Sequence, residues 1–300
     1  MPAPTGASAP VPDALPLSRR SVAWKVLAEP VAFLGGGRAV LLQVAHPKVG
    51  AGVEQHSTYA SDPWARLFRT VDVMAKLTFA SPEVSRRQAQ LLDAMHQKVV
   101  GTTEDGEPYH ALDPALLLWV WATLVDTGLM MYESVFPPLS TADRDQYYEE
   151  WKLVAYGCGV PEGTCPEHWD DFRVYFDRVV VEELRVTRAA RSVAHATMVP
   201  PLPWPLNRIS AGPQQLVTSG TFPPSLRDPF GFAWDERRAR QLRWFLAATR
   251  LGARLTPAFI RQAGFRYVIR RDGPLRFPWL QRRGAELTAR RMSTFDTGAA

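Results

Sequence analysis

The chain has 300 residues, 46% hydrophobic and 22% charged, enough for one large domain or two small ones with a sizeable core. That balance excludes collagen-like and coiled-coil chains and, over most of the length, intrinsic disorder. Thirty-five basic against 30 acidic residues give a net charge of +5, but the arginines look scattered, so nucleic acid is not an expected partner.

Residues 1–17 are rich in Pro, Ala and Ser and read as a disordered leader. Ser18-Arg19-Arg20 faintly resembles a twin-arginine export signal. Lys25, Glu29 and Pro30 interrupt what would be its apolar region, so a first helix is the expected reading. From about Val22 to Thr141 the apolar residues recur at helical spacing. Further helical stretches run from Asp143 to about Ala196, clearest from Asp170 to Arg191, and again from Asp235 to about Ala263. The segment 200–229 holds eight prolines and is expected to be an irregular internal loop, since Pro lacks an amide hydrogen and disfavours helix before it. No strand pattern persists. The expected architecture is a single all-α domain over 18–285, followed by a flexible tail at 286–300.

The longest apolar stretch, Leu116 to Val125, is shorter than the about 20 residues a bilayer span requires. No transmembrane span and a cytoplasmic location are therefore expected. Two cysteines, Cys158 and Cys165, could close one small loop but cannot form a disulfide framework or a cysteine zinc site.

Asp62-Pro63 is a helix start: Asp caps free amides, and Pro suits the first helical position. In the helix that follows, to about Thr78, Arg66, Arg69 and Thr70 occupy neighbouring positions at spacings of three and four, with Val73 and Leu77 continuing the line. Such arginines either snorkel at a core edge or hold an anion at the mouth of an apolar cavity. Ser81-Pro82-Glu83 starts the next helix, which is expected to run to Val100 and stop at Gly101. Along it Ala89, Leu92, His96 and Val99 form an inward stripe. An inward histidine is either a satisfied core residue or a metal ligand, and imidazole suits iron. His46, at the end of an apolar helix beginning near Arg38, and His56, before the Asp62 cap, belong to no zinc spacing. Gly35-Gly36-Gly37 is not a phosphate loop, because no strand precedes it and no Gly-Lys-Ser/Thr follows.

These residues resemble a known family, the haem-dependent oxygenases typified by the latex-clearing rubber oxygenases, together with the fungal endoplasmic-reticulum oxygenase of mycophenolic acid biosynthesis. The matching motifs are Gly37 to Pro47, Gly52-Val53, His56-Ser57, Asp62-Pro63, Arg66-x-x-Arg69-Thr70, His96 with Val99-Val100-Gly101, Tyr109 to Pro114, and Leu118-Trp119-Val120. They cover roughly Ser21 to Arg270, most strongly Arg38 to Asp126. The resemblance implies an all-helical, globin-like core binding haem b, with His96 as the iron's proximal ligand. Arg66 and Thr70 match the arginine and threonine of an Arg-x-x-Lys-Thr motif, and all three of Arg66, Arg69 and Thr70 fall to the cofactor pocket.

Three departures matter. Arg69 replaces the lysine that approaches the iron, and a guanidinium does not readily lose a proton to ligate metal. Trp121 stands where many relatives have a histidine. The acidic distal base of the rubber oxygenases has no clear counterpart, which leaves His46 as the distal candidate. The expected function is oxidation of a small apolar organic substrate with dioxygen or peroxide and, where needed, an electron donor. The alternative is a non-catalytic haem or gas sensor.

Overall fold

A computed structural model describes residues 12–203 and 205–296. The fold is all-α: 69% of the described residues are helical, in 16 helices, and they include one two-stranded sheet. The first four helices are α1 (Val22–Leu27), α2 (Val31–Leu34), α3 (Gly36–Ala45) and α4 (Pro47–His56), followed by α5 (Pro63–Phe79) and α6 (Pro82–His96). A hairpin of β1 (Val100–Thr102) and β2 (Pro108–His110) leads into the 22-residue α7 (Pro114–Val135). Then come α8 (Thr141–Gly157), α9 (Trp169–Glu182), α10 (Arg188–Thr197), α11 (Leu206–Thr221), α12 (Pro224–Arg227) and α13 (Glu236–Leu255). The chain closes with α14 (Ala258–Arg261), α15 (Ala263–Arg270) and α16 (Pro278–Asp296).

The predicted caps hold. Asp62 Oδ1 accepts from the Ala65 amide at 3.0 Å and Ser81 Oγ from Val84 at 3.4 Å, each with proline in the first turn. Asp113 caps α7 in the same way, accepting from Ala115 at 2.9 Å. Helix α1 is capped from a distance as well: the buried Glu150 carboxylate of α8 accepts from the Ala23 amide at 2.7 Å and the Val22 amide at 3.3 Å. An anion at a helix N-terminus satisfies donors that have no intrahelical partner.

Helix α7 is the central element and is apolar nearly all round. It is long and apolar enough to cross a membrane, but 78% of its most apolar window is buried inside the protein. Trp119 donates to the Leu42 carbonyl at 3.1 Å. Trp121 donates to the Trp151 carbonyl at 2.8 Å and packs against Tyr148 and Phe172, so it belongs to the core. Gly35 and Gly37 explain the glycine run before α3. A Cβ on Gly35 would lie 2.5 Å from Thr127 Cγ2 of α7, and one on Gly37 2.6 Å from Thr218 Oγ1 of α11. The run lets three helices approach closely.

Four sequence expectations need correction. The proline-rich segment is no irregular loop, since α11 occupies 206–221 with Pro213 inside it. Its last eight residues are free of proline, and Val217, Thr218 and Ser219 are buried, so packing outweighs one lost backbone hydrogen bond. Helix α6 ends at His96 rather than Val100, and Val100 starts the hairpin, paired with His110. The flexible tail from 286 is helical in α16 as far as Asp296. Of the leader, residues 1–11 lie outside the described residues, while Leu15 and Leu17 are buried in the core. Cys158 and Cys165 are free thiols, and burial pushes each up to about 12.

A buried polar cluster joins α3, α7 and α9. Arg38 pairs with Asp126 at 2.7 Å, donates to Thr127 Oγ1 at 2.6 Å, and donates through Nε to the Thr221 carbonyl at 2.8 Å. Arg173 of α9 binds the other oxygen of Asp126 and also Asp177 at 2.9 Å. Removing one partner of a buried ion pair strands the other charge. Asp126→Ala is therefore expected to cost about 3–5 kcal/mol of stability, read by urea unfolding. A loss below about 1 kcal/mol, the range of an exposed pair, would show that this cluster does not hold the helices together.

Candidate functional site

His96 is the last residue of α6, where the helix hands over to the hairpin. It is half-buried, and its Nδ1 is buried with no hydrogen-bond partner. Burial lowers its pKa below the ordinary value; Asp93 works against that shift and His110 with it. Burial thus disfavours the charged ring, and no protein group is hydrogen-bonded to Nδ1. The hairpin gathers two further histidines. His110 ends β2, and His56 lies 3.0 Å through Nε2 from the Val100 carbonyl.

Helix α5 sits against α6. Arg66 is half-buried on it, and no carboxylate pairs with it among the described residues. Burial lowers its pKa most, then the neighbouring Arg69 charge, while Tyr59 acts in the opposite sense. Tyr59 itself is buried against Ser192 of α10, 2.9 Å away. Arg69 is exposed and donates to Thr58 Oγ1 at 3.3 Å. Thr70 is exposed too, its hydroxyl donating to the Arg66 carbonyl at 3.0 Å. The more deeply buried polar residues of α5 are Asp72 and Lys76, which pair at 2.9 Å, with Lys76 also donating to the Gly273 carbonyl at 2.7 Å.

His46 lies elsewhere. It precedes α4, whereas the hairpin beside His96 packs on the far half of that helix, where Tyr109 approaches Gly52 and donates to Gln55 at 2.7 Å. Nε2 of His46 is 3.6 Å from Glu183, and its buried Nδ1 has no partner. Burial lowers its pKa, against the opposing pull of Glu183. Glu183 is the acid that the sequence did not reveal: it lies 137 positions further on, in the break between α9 and α10. The structure thus groups Arg66 with Arg69, and His96 with His110, but does not bring His46 to His96.

Two open cavities lie away from these groups. One of about 740 Å³ runs between α11 and α13, and one of about 340 Å³ lies between α9 and α12. Neither is lined by His96, Arg66, Arg69 or Thr70. Among the described residues no three of His, Cys, Asp and Glu gather as a metal-binding group. Donor chemistry, rather than void volume, places the candidate site at the junction of α6, α5 and the hairpin. A haem needs one free axial nitrogen and cations for its two carboxylates; His96 and Arg66 are of those types.

The family of the ER-bound oxygenase mpaB/B' and rubber oxygenase catalytic domains matches residues 24–251, and the chain belongs to it. Two proteins called uncharacterized, Rv2237 of Mycobacterium tuberculosis and Mb2261 of Mycobacterium bovis, are each 30% identical to it over 224 residues. The match covers 73% of this chain and 87% of each relative. No solved structure matches the chain.

The two lowered histidines set a pH dependence. Below about pH 6.5, the ordinary histidine value, the unfolded chain binds more protons than the folded one. Stability is then lost as pH falls from there through the lower folded values. Urea unfolding at about pH 7 and about pH 5 is expected to show this loss, each unit of lowering contributing about 1.4 kcal/mol. The loss should shrink in His96→Ala. An unaltered slope in that variant would mean that His96 titrates as it does in the unfolded chain.

Proposed function

We propose that the protein is a haem b-dependent oxygenase, with His96 as the axial ligand, that oxidises a small apolar organic molecule with dioxygen or peroxide. The observation that carries this reading is the buried, unpartnered Nδ1 on an imidazole whose charged form burial disfavours. Membership of an oxygenase family supports the reaction class. Haem, when bound, supplies the oxygen chemistry; the chain sets ligation, access and proton supply.

Arg66 is the residue for a haem carboxylate: a half-buried guanidinium without an acidic partner of its own gains a charge-assisted pair. Arg69, more exposed and held by Thr58, adds positive charge on the same turn. Thr70, on the same face, donates its hydroxyl back to the Arg66 carbonyl. His46, beside Glu183 at the other end of α4 from the hairpin, has no part in this site. A cytoplasmic location is part of the proposal. It is supported by the burial of α7 within the core.

Protein purified from haem-supplied cells, or given hemin, is expected to show a Soret band. His96→Ala should lose it while keeping its far-ultraviolet circular dichroism. Unchanged haem content and ferric spectrum in that variant would overturn the assignment. Arg66→Leu removes a charge-assisted hydrogen bond worth about 1.5–3 kcal/mol, so hemin should leave it at least about tenfold faster. Dissociation as slow as in the wild type would return Arg66 to an ordinary surface role.

A further inference from the structure

The arginines that look scattered along the chain are concentrated in its C-terminal third. Residues 236–271 hold ten arginines, no lysine and a single acid, Glu236. That segment carries +9 in a chain of +5, so the remainder is net negative. Most of it is α13, α14 and α15.

Helix α13 is amphipathic in two senses. Its inner side places Leu242, Phe245 and Leu246 against Val31, Val135 and Val217, and this completes a satellite core. Its outer side is nonetheless apolar: Trp244, Leu251 and Leu255 are 76%, 58% and 76% exposed, and Ala248 between them is exposed as well. Spacings of four, three and four put them in one stripe about 16 Å long. Phe259 and Ile260 of α14, just beyond, are also exposed. Arg240, Arg243 and Arg254 flank the stripe, and no carboxylate pairs with them among the described residues. Arg261 is spent differently: it grips Glu29 through Nε and Nη2 at 2.7 and 2.9 Å and so fixes α14 to the body of the protein.

We propose that this face docks the protein on an anionic lipid surface. Exposed Trp and Leu beside unpaired arginines need an environment with hydrocarbon and negative charge within one side-chain length, which is the boundary of an anionic bilayer. A polyanion such as a nucleic acid offers the charge but no medium for Leu251, Leu255 and Ile260. The stripe is one helix wide, suited to lying in the interface rather than crossing it. Docking would bring an enzyme for apolar molecules to where such molecules collect, but the inference stands independently of haem binding.

The test is flotation of the full chain with phosphatidylcholine vesicles, with and without phosphatidylserine. Binding is expected only with phosphatidylserine, and should be released at about 1 M salt, where the screening length is roughly 3 Å. The triple substitution Arg240→Glu, Arg243→Glu, Arg254→Glu should weaken binding at least about a hundredfold, at roughly fivefold for each positive charge lost. Replacing the same three by lysine should leave it within about threefold. Trp244→Ser with Leu255→Ser should weaken it at least about tenfold, since apolar burial adds to charge. All five positions are exposed, so circular dichroism should not change. Equal binding to both vesicle types, or binding indifferent to these substitutions, would overturn the proposal. So would a dimer that Trp244→Ser converts to monomer, or a DNA duplex held more tightly than the vesicles.

Discussion

The ion pair between Arg38 and Asp126 is the constraint on which the packing depends. Arg38 sits in the first turn of α3 and Asp126 in the middle of the most apolar helix, and both are buried. Each is satisfied several times over. Arg38 reaches α7 twice and the end of α11 once, and Asp126 adds Arg173 from α9. A buried charge with every donor and acceptor engaged is tolerable; one with a gap is not. The geometry of four helices is therefore set by polar groups as much as by the apolar surface around them. The glycines at 35 and 37 are part of the same arrangement, since without them α3 could not come close enough to α7 and α11 for Arg38 to span them.

The candidate site stands on the other side of the molecule's logic. His46 and His96 each keep a buried ring nitrogen without a hydrogen-bond partner, and Arg66 has no carboxylate partner among the described residues. Burial acts on all three in one direction, against the charged form.

Local chemistry was legible in the sequence wherever it is settled by residues a turn apart. Asp62-Pro63 and Ser81-Pro82 begin helices because capping needs only three residues, and the stripe through His96 was readable from spacing alone. The face of α5 was harder. Asp72 and Lys76 neutralise each other and take a carbonyl from Gly273, so they are buried while Thr70 is not. The proline count misled because Pro213 removes one hydrogen bond from a helix held on two sides. Glu183 beside His46 left no trace in the sequence, because nothing local connects residues in different helical layers. The concentration of charge on α13 was written in the sequence throughout, and only the exposed apolar stripe alongside it made the distribution meaningful.

Helix α7 has the length and apolarity of a membrane span and yet must remain in the core. Its midpoint is where Asp126 sits. On the scale by which cells sort hydrophobic segments, an aspartate at the centre of a helix counts against insertion by about 2.5–3.5 kcal/mol. The carboxylate that pairs in the folded core thus also counts against insertion of α7 while the chain is still emerging. Arg38 precedes it in the chain, so the partner that rewards folding has already been made when that choice arises.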